Sequence, residues 1–154
     1  MTSLETPGPP PGNTTSITIA CWFVRFALAA AFLSAVGDRF GLWGPPGAEG
    51  VAWGSIENYD AYVGMLNWFL PSGLISPVGW VATGAEVVIA IGLLVGFQLR
   101  WFALAAGLLL TIFATAMTGA FGPKPPLDYS VLSAASAAYL LFAVNFPPRA
   151  TAVD

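Results

Sequence analysis

Residues 78–99, VGWVATGAEVVIAIGLLVGFQL, decide how this chain can fold. The hydrocarbon core of a bilayer is about 30 Å thick, and a helix needs about 20 apolar residues to cross it. This stretch has that length, and Glu86 is its one charged residue before Arg100. A carboxylate at that depth is costly unless it faces the interior of a bundle and meets a partner. The stretch therefore predicts a transmembrane helix with Glu86 as a candidate functional residue.

The composition of the chain also indicates a membrane protein. Of its 154 residues, 56% are hydrophobic and 8% are charged, whereas a soluble domain has about 25% charged residues. The net charge is −3 and the basic residues are scattered, so we expect no nucleic-acid partner. One cysteine and no histidine leave no internal disulfide, no Cys-x-x-Cys pair and no usual site for a metal or haem. We expect no intrinsic metal or cofactor.

Three more apolar segments extend the prediction to an all-α integral membrane four-helix bundle. The predicted spans lie at about residues 17–36, 78–98, 101–121 and 129–146. Residues 1–16 form a Pro-rich tail that we expect to be disordered, and residues 147–154 form a short polar tail. Very few residues separate spans two and three, which predicts an antiparallel helical hairpin.

Small residues repeat along spans two and three at the spacing that lets helices approach closely. Span two contains Gly92 and Gly96. Span three has a small residue at every fourth position: Ala103, Gly107, Thr111, Thr115 and Gly119. We expect the two stripes to face each other and to serve packing.

The long loop between the first two spans, residues 37–77, is predicted to be partly helical. Ser55 is placed to cap a helix that Pro71 ends. Its apolar residues fall on one face: Ile56, Tyr59, Tyr62, Val63, Leu66, Phe69 and Leu70. This helix is too short and too polar to span a membrane, so we expect it at the membrane surface.

Arg25 and Glu86 are the candidate buried polar pair. On antiparallel helices their Cα atoms would differ in depth by about 6 Å, within the reach of an arginine side chain. The pair would either line a ligand cavity or simply neutralise two buried charges and set the helix register. A third alternative separates them, with Arg25 reaching the head groups and Glu86 protonated by desolvation.

Further polar candidates surround the outer mouth of the predicted bundle, where they would contact the head group of a ligand. They are Asp38, Arg39, Lys124, Asp128 and Tyr129. Each has an alternative role as a helix cap or a solvated loop charge, and Asp128 is placed to cap span four.

Three stretches resemble the DoxX family of small four-helix bacterial membrane proteins. They are GDRFGLWGPPG after Arg25, GAEVVIAIGLLVG around Glu86, and PLDYSVLSAASAAYLL at the start of span four. The similarity covers about residues 17–146. It implies a membrane subunit more than an enzyme, because known members are linked to membrane redox complexes for thiosulfate-to-quinone electron transfer and for thiol and superoxide detoxification. It also implies a bacterial inner membrane.

Three functional hypotheses follow from the residues and the resemblance. The first is a non-catalytic subunit that docks a redox protein through the long loop. The second is a protein that binds quinone or another small lipophilic molecule. The third is a proton-coupled transporter, which at this length would have to form a homo-oligomer. Four spans place both termini on one side, and the basic residues favour cytoplasmic termini with the long loop outside.

Overall fold

The computed structural model describes residues 12–145, and all regular structure in this range is helical. The helices are α1 (Gly12–Arg39), α2 (Ile56–Leu66), α3 (Ser72–Val95), α4 (Leu99–Phe121), α5 (Lys124–Asp128) and α6 (Val131–Val144). The prediction of an all-helical fold is confirmed for the described part of the chain.

Three of these helices are long and apolar enough to cross a membrane: Thr14–Arg39 within α1, and the whole of α3 and α4. These are the features of a multi-pass membrane protein. The helix α6 is apolar but has 14 residues, a length of about 21 Å. The fourth predicted span therefore remains a prediction.

Two helices begin more than one turn earlier than the sequence predicts. The helix α1 starts at Gly12, inside the stretch assigned to the tail, while residues 1–11 and 146–154 lie outside the described range. The helix α3 starts at Ser72 and contains Pro77 in its interior. A proline removes one backbone hydrogen bond, but a membrane helix continues through it where its neighbours satisfy the freed groups.

The core lies between α1, α3, α4 and α6, where small residues let the helix backbones approach closely. The buried residues of this cluster are Leu28, Ala29, Phe32, Ile89, Ala90, Leu93, Ala103, Ala106, Ala138 and Leu141. The most extensive helix contacts are those of α4 with α6 and of α1 with α3. The α3–α4 hairpin that the short connection predicts is present, but its two helices are not each other's main partners.

The predicted face-to-face packing of the glycine and threonine stripes is wrong. Gly92 lies against the ring of Phe102, and Gly107 on α4 lies against the ring of Tyr139 on α6. Thr111 and the Tyr139 hydroxyl are 3.0 Å apart and hydrogen-bonded. The stripe on α4 therefore accommodates an aromatic residue of α6, because the bulk of Tyr139 fits only where α4 has no side chain.

The short helix α2 packs on α3 and α4. Ser55 caps it as predicted, since its hydroxyl accepts a hydrogen bond from the Asn58 N–H at 3.3 Å. Tyr59 and Val63 are buried on the predicted apolar face, close to Gly79 of α3. The helix ends at Leu66 rather than at Pro71, so Phe69 lies beyond it and is 65% exposed.

We expect Gly92→Ala to destabilise the bundle and Gly84→Ala, on the same helix, to leave it unchanged. A Cβ atom at Gly92 would lie 2.2 Å from the Phe102 ring, whereas nothing lies within 4 Å of one at Gly84. Overpacking of this kind costs about 1–3 kcal/mol. Thermal unfolding in detergent micelles measures the effect, and equal melting temperatures for the two variants would contradict the packing described here.

Candidate functional site

A buried ion pair joins the end of α1 to the middle of α3. Arg39 Nη2 donates a hydrogen bond to Glu86 Oε1 at 2.9 Å, and Nη1 lies 2.5 Å from Oε2. Arg39 Nη1 also donates to the hydroxyl of Thr83 at 2.7 Å, and that hydroxyl donates to the Gly79 carbonyl. Both charged side chains are 2% exposed.

The predicted pairing of Arg25 with Glu86 is wrong, although both residues are buried. Arg25 Nε donates to the Leu93 carbonyl at 2.7 Å, and Nη2 donates to the Leu94 carbonyl at 3.0 Å. Its guanidinium also lies 3.8 Å from the centre of the Trp22 ring. These carbonyls belong to the last turn of α3, where they have no partner within the helix. Arg25 therefore caps the C-terminus of α3.

The direction of the side chains explains why Glu86 pairs with Arg39 and not with Arg25. In a helix each Cα–Cβ bond tilts toward the N-terminus. On antiparallel helices the side chains of Arg25 and Glu86 therefore diverge, because Arg25 leans toward the C-terminal end of α3 and Glu86 leans toward its N-terminal end. Arg39 leans toward Glu86 from the other side. The depth of the Cα atoms alone does not show which way the side chains lean.

Asp38, next to Arg39 in sequence, holds the connection between α1 and α2 in place. Its Oδ2 accepts hydrogen bonds from the N–H groups of Ala52 and Trp53 at 2.9 and 3.0 Å. We call residues 40–54 the strap. Near its other end, the Trp43 indole N–H donates to the Ser34 carbonyl at 3.0 Å. The strap is therefore tied to α1 at two points.

Aromatic rings of the strap and of α2 cover the ion pair. The guanidinium carbon of Arg39 lies 4.0 Å from the centre of the Tyr59 ring and 5.4 Å from that of Trp53. The two rings pack edge to face with 5.2 Å between their centres. A desolvated cation over an aromatic face gains about 2 kcal/mol. Arg39 thus connects α1, α3 and α2 through one guanidinium group.

The structure divides the predicted outer-mouth residues into two groups. Asp38 and Arg39 belong to the buried site, whereas Lys124 and Asp128 form an exposed pair within α5 and Tyr129 is 74% exposed. Asp128 does not cap α6, because the capping residue is Ser130, which has a φ of +54° and makes no side-chain cap. The Asp128 carboxylate instead accepts a hydrogen bond from the Lys124 ammonium group.

Three buried polar atoms among the described residues make no hydrogen bond: Asp38 Oδ1, Arg39 Nε and Glu86 Oε2. Glu86 Oε2 still has its ionic contact with Arg39. Two cavities lie elsewhere, one of about 320 Å³ between Ser34 of α1 and Trp43 of the strap and one of about 150 Å³ between α1 and α6 beside Cys21. Residues 12–145 hold no group of three or more metal-ligating side chains.

The strap and α2 together form the cap over the ion pair, and two tyrosines of this cap, both on α2, have perturbed pKa values. Burial raises the pKa of Tyr59 above its usual value, and the nearby Arg39 charge partly opposes this. Burial also raises the pKa of Tyr62, which stacks on Phe121 of α4. Both hydroxyl groups are therefore neutral in the folded protein well into alkaline solution.

Comparison with models of protein families, with curated proteins and with solved structures found no match for this chain.

We expect removal of either partner of the Arg39–Glu86 pair to destabilise the protein by about 3–5 kcal/mol, because the other charge is left buried and unpaired. The double variant Arg39→Met/Glu86→Leu should recover much of this loss. Lys124→Ala, which breaks an exposed pair, should change stability by no more than about 1 kcal/mol. Chemical unfolding in micelles measures all four variants. Recovery by Arg25→Met/Glu86→Leu instead would contradict the assignment of partners.

We expect the ionisation of Tyr59 and Tyr62 to leave the free energy of unfolding unchanged below the usual tyrosine pKa. Above that pKa, the free energy of unfolding should fall as the pH rises. The unfolded chain loses these two protons first, since folding raises both pKa values. Alkaline titration followed by phenolate absorbance should show the late transition, and Tyr59→Phe should remove part of it. A late transition of equal size in Tyr59→Phe and in the wild type would contradict this expectation.

Proposed function

We propose that this chain is a DoxX-like membrane protein that acts as a non-catalytic subunit and anchors a redox protein at the membrane. The observation that carries the proposal is the closed ion-pair network, in which Arg39 and Glu86 are 2% exposed and neutralise each other. Such a network holds helices and cap together. It is suited to a rigid scaffold more than to a reacting centre.

The proposed topology has four spans in a bacterial inner membrane, with α6 and its flanking residues as the fourth. Both termini are cytoplasmic, and the strap and α2 face the other side. The redox centre belongs to the partner, because the chain has one cysteine and no histidine and carries no motif for holding an electron-transfer group.

The proposed docking surface for the partner is the strap together with the start of α2. Asp38 fixes the strap through two backbone N–H groups, so this surface is ordered before a partner arrives. Glu49 and Glu57 are exposed on it. A partner with basic residues at its contact surface complements these charges.

The test is gentle extraction of the protein from its own membrane, followed by native mass spectrometry and absorbance spectroscopy. We expect a co-purifying protein with a flavin, haem or iron–sulfur chromophore, and we expect Glu49→Lys/Glu57→Lys to weaken the association about tenfold or more. Lys124→Glu reverses an exposed charge on another helix and should leave the association unchanged. A wild-type protein that carries no redox protein contradicts the proposal.

A second candidate function is the binding of quinone or another small lipophilic molecule. It is favoured by Asp38 Oδ1 and Arg39 Nε, two buried atoms that make no hydrogen bond. A hydroxyl head group would donate to the carboxylate oxygen, and a carbonyl head group would accept from Nε. In the same spectra, a quinone-sized mass on the wild type that is absent from a folded Glu86→Gln variant supports this function. Equal spectra for the two proteins contradict it.

A further inference from the structure

The charge of the chain changes abruptly in the middle of α2. Glu57 and Asp60 lie in its first half, and Glu49 in the strap precedes them. From residue 61 to residue 99 the chain has one charged side chain, Glu86, and that one is buried. The surface from the middle of α2 through the end of α3 is therefore uncharged.

Large apolar side chains occupy the exposed surface of this uncharged part. Met65 is 53% exposed, Trp68 is 75% exposed and Phe69 is 65% exposed. The rings of Trp68 and Phe69 pack against each other at right angles. A contiguous exposed apolar patch of this kind marks a contact with a protein or a membrane.

The apolar patch is continuous with the surface of a membrane-spanning helix. The helix α3 begins at Ser72, three residues after Phe69. Its outward side chains near this end are also exposed and apolar, among them Leu74, Trp80 and Val81. Trp80 lies 6.1 Å from the ring of Phe40, the first residue of the strap. The patch therefore joins the surface that α3 presents to lipid.

Tryptophan prefers the boundary between hydrocarbon and head groups, because its ring is apolar while its N–H is polar. We propose that α2 enters this boundary obliquely. Its N-terminal end with Glu57 lies in water. Its C-terminal end with Met65, and Trp68 and Phe69 just beyond it, lie among the lipid head groups. The proposed ligand of this surface is a zwitterionic lipid, because the acidic residues nearby repel anionic head groups.

This arrangement gives the cap a second role. Tyr59 of α2 covers the Arg39 guanidinium, and the lipid-bound end of α2 lies two turns further along. Lipid contact at Met65 and Trp68 holds α2 against α3, and the cap then keeps water and lipid away from the ion pair. This contact requires that α3 spans a membrane, and it does not require the redox partner proposed above.

The test compares two positions on the exposed face of α2 that lie eight residues apart. Spin labels are placed at Glu57→Cys and at Met65→Cys in a Cys21→Ser background, and each full-length protein is reconstituted into phosphatidylcholine vesicles. We expect the label at position 65 to collide with oxygen dissolved in the lipid, and the label at position 57 to collide with a water-soluble nickel complex. The accessibility ratio should differ about tenfold between the positions.

Tryptophan fluorescence supplies the second measurement. Variants that retain only Trp68, Trp53 or Trp80, with the other tryptophans replaced by phenylalanine, are reconstituted with phosphatidylcholine brominated near the head-group end of its chains. We expect quenching of Trp68 and Trp80, with little quenching of the half-buried Trp53. Trp80 reports on the span itself, so a Trp80 that bromine does not quench would show that α3 does not span the membrane.

The outcome that overturns the proposal is a label at position 65 that is as accessible to the nickel complex as the label at position 57, with Trp80 still quenched by brominated lipid. In that case α2 lies wholly in water, and the apolar patch is a contact surface for a protein. Full-length protein that binds its redox partner would be unaffected by this result, so the two proposals fail separately.

Discussion

The contact between Arg39 and Glu86 is the constraint on which the other features of the bundle depend. Two charges in a low-dielectric interior cost several kcal/mol each unless they are paired with good geometry. Here Arg39 also donates a hydrogen bond to Thr83 and makes a cation–π contact with Tyr59. The pairing therefore determines how far α1 is shifted along α3 and where α2 can lie.

Arg25 and Arg39, both on α1, are buried cations that are stabilised in two different ways. Arg39 is neutralised by a carboxylate, whereas Arg25 is bound by the free carbonyls at the end of α3. Helix ends leave carbonyls without partners, and their partial negative charge attracts a cation. In a membrane, where water is scarce, one guanidinium thus satisfies both its own donors and the helix terminus.

The cap, like the bundle beneath it, is held in place by specific polar and aromatic contacts. The Asp38 carboxylate holds the strap, Ser55 starts α2, and the buried ring of Tyr59 completes the cover over Arg39. Each contact is local in sequence or adjacent to the ion pair, so the cap and the ion pair are joined by direct contacts. The strap and α2 thus present an outer surface held by specific contacts, while the charges of Arg39 and Glu86 remain buried.

The sequence by itself determined the helical membrane class, the α3–α4 hairpin, the Ser55 cap and the burial of Glu86, because hydrophobic length and capping residues act locally. Only the tertiary structure decided the partner of Glu86. Depth along the helices favours Arg25 and leaves Arg39 at the outer mouth, and the tilt of side chains toward helix N-termini reverses that choice. The tertiary structure also decided that Gly107 faces Tyr139, because small residues permit close approach without specifying which helix approaches.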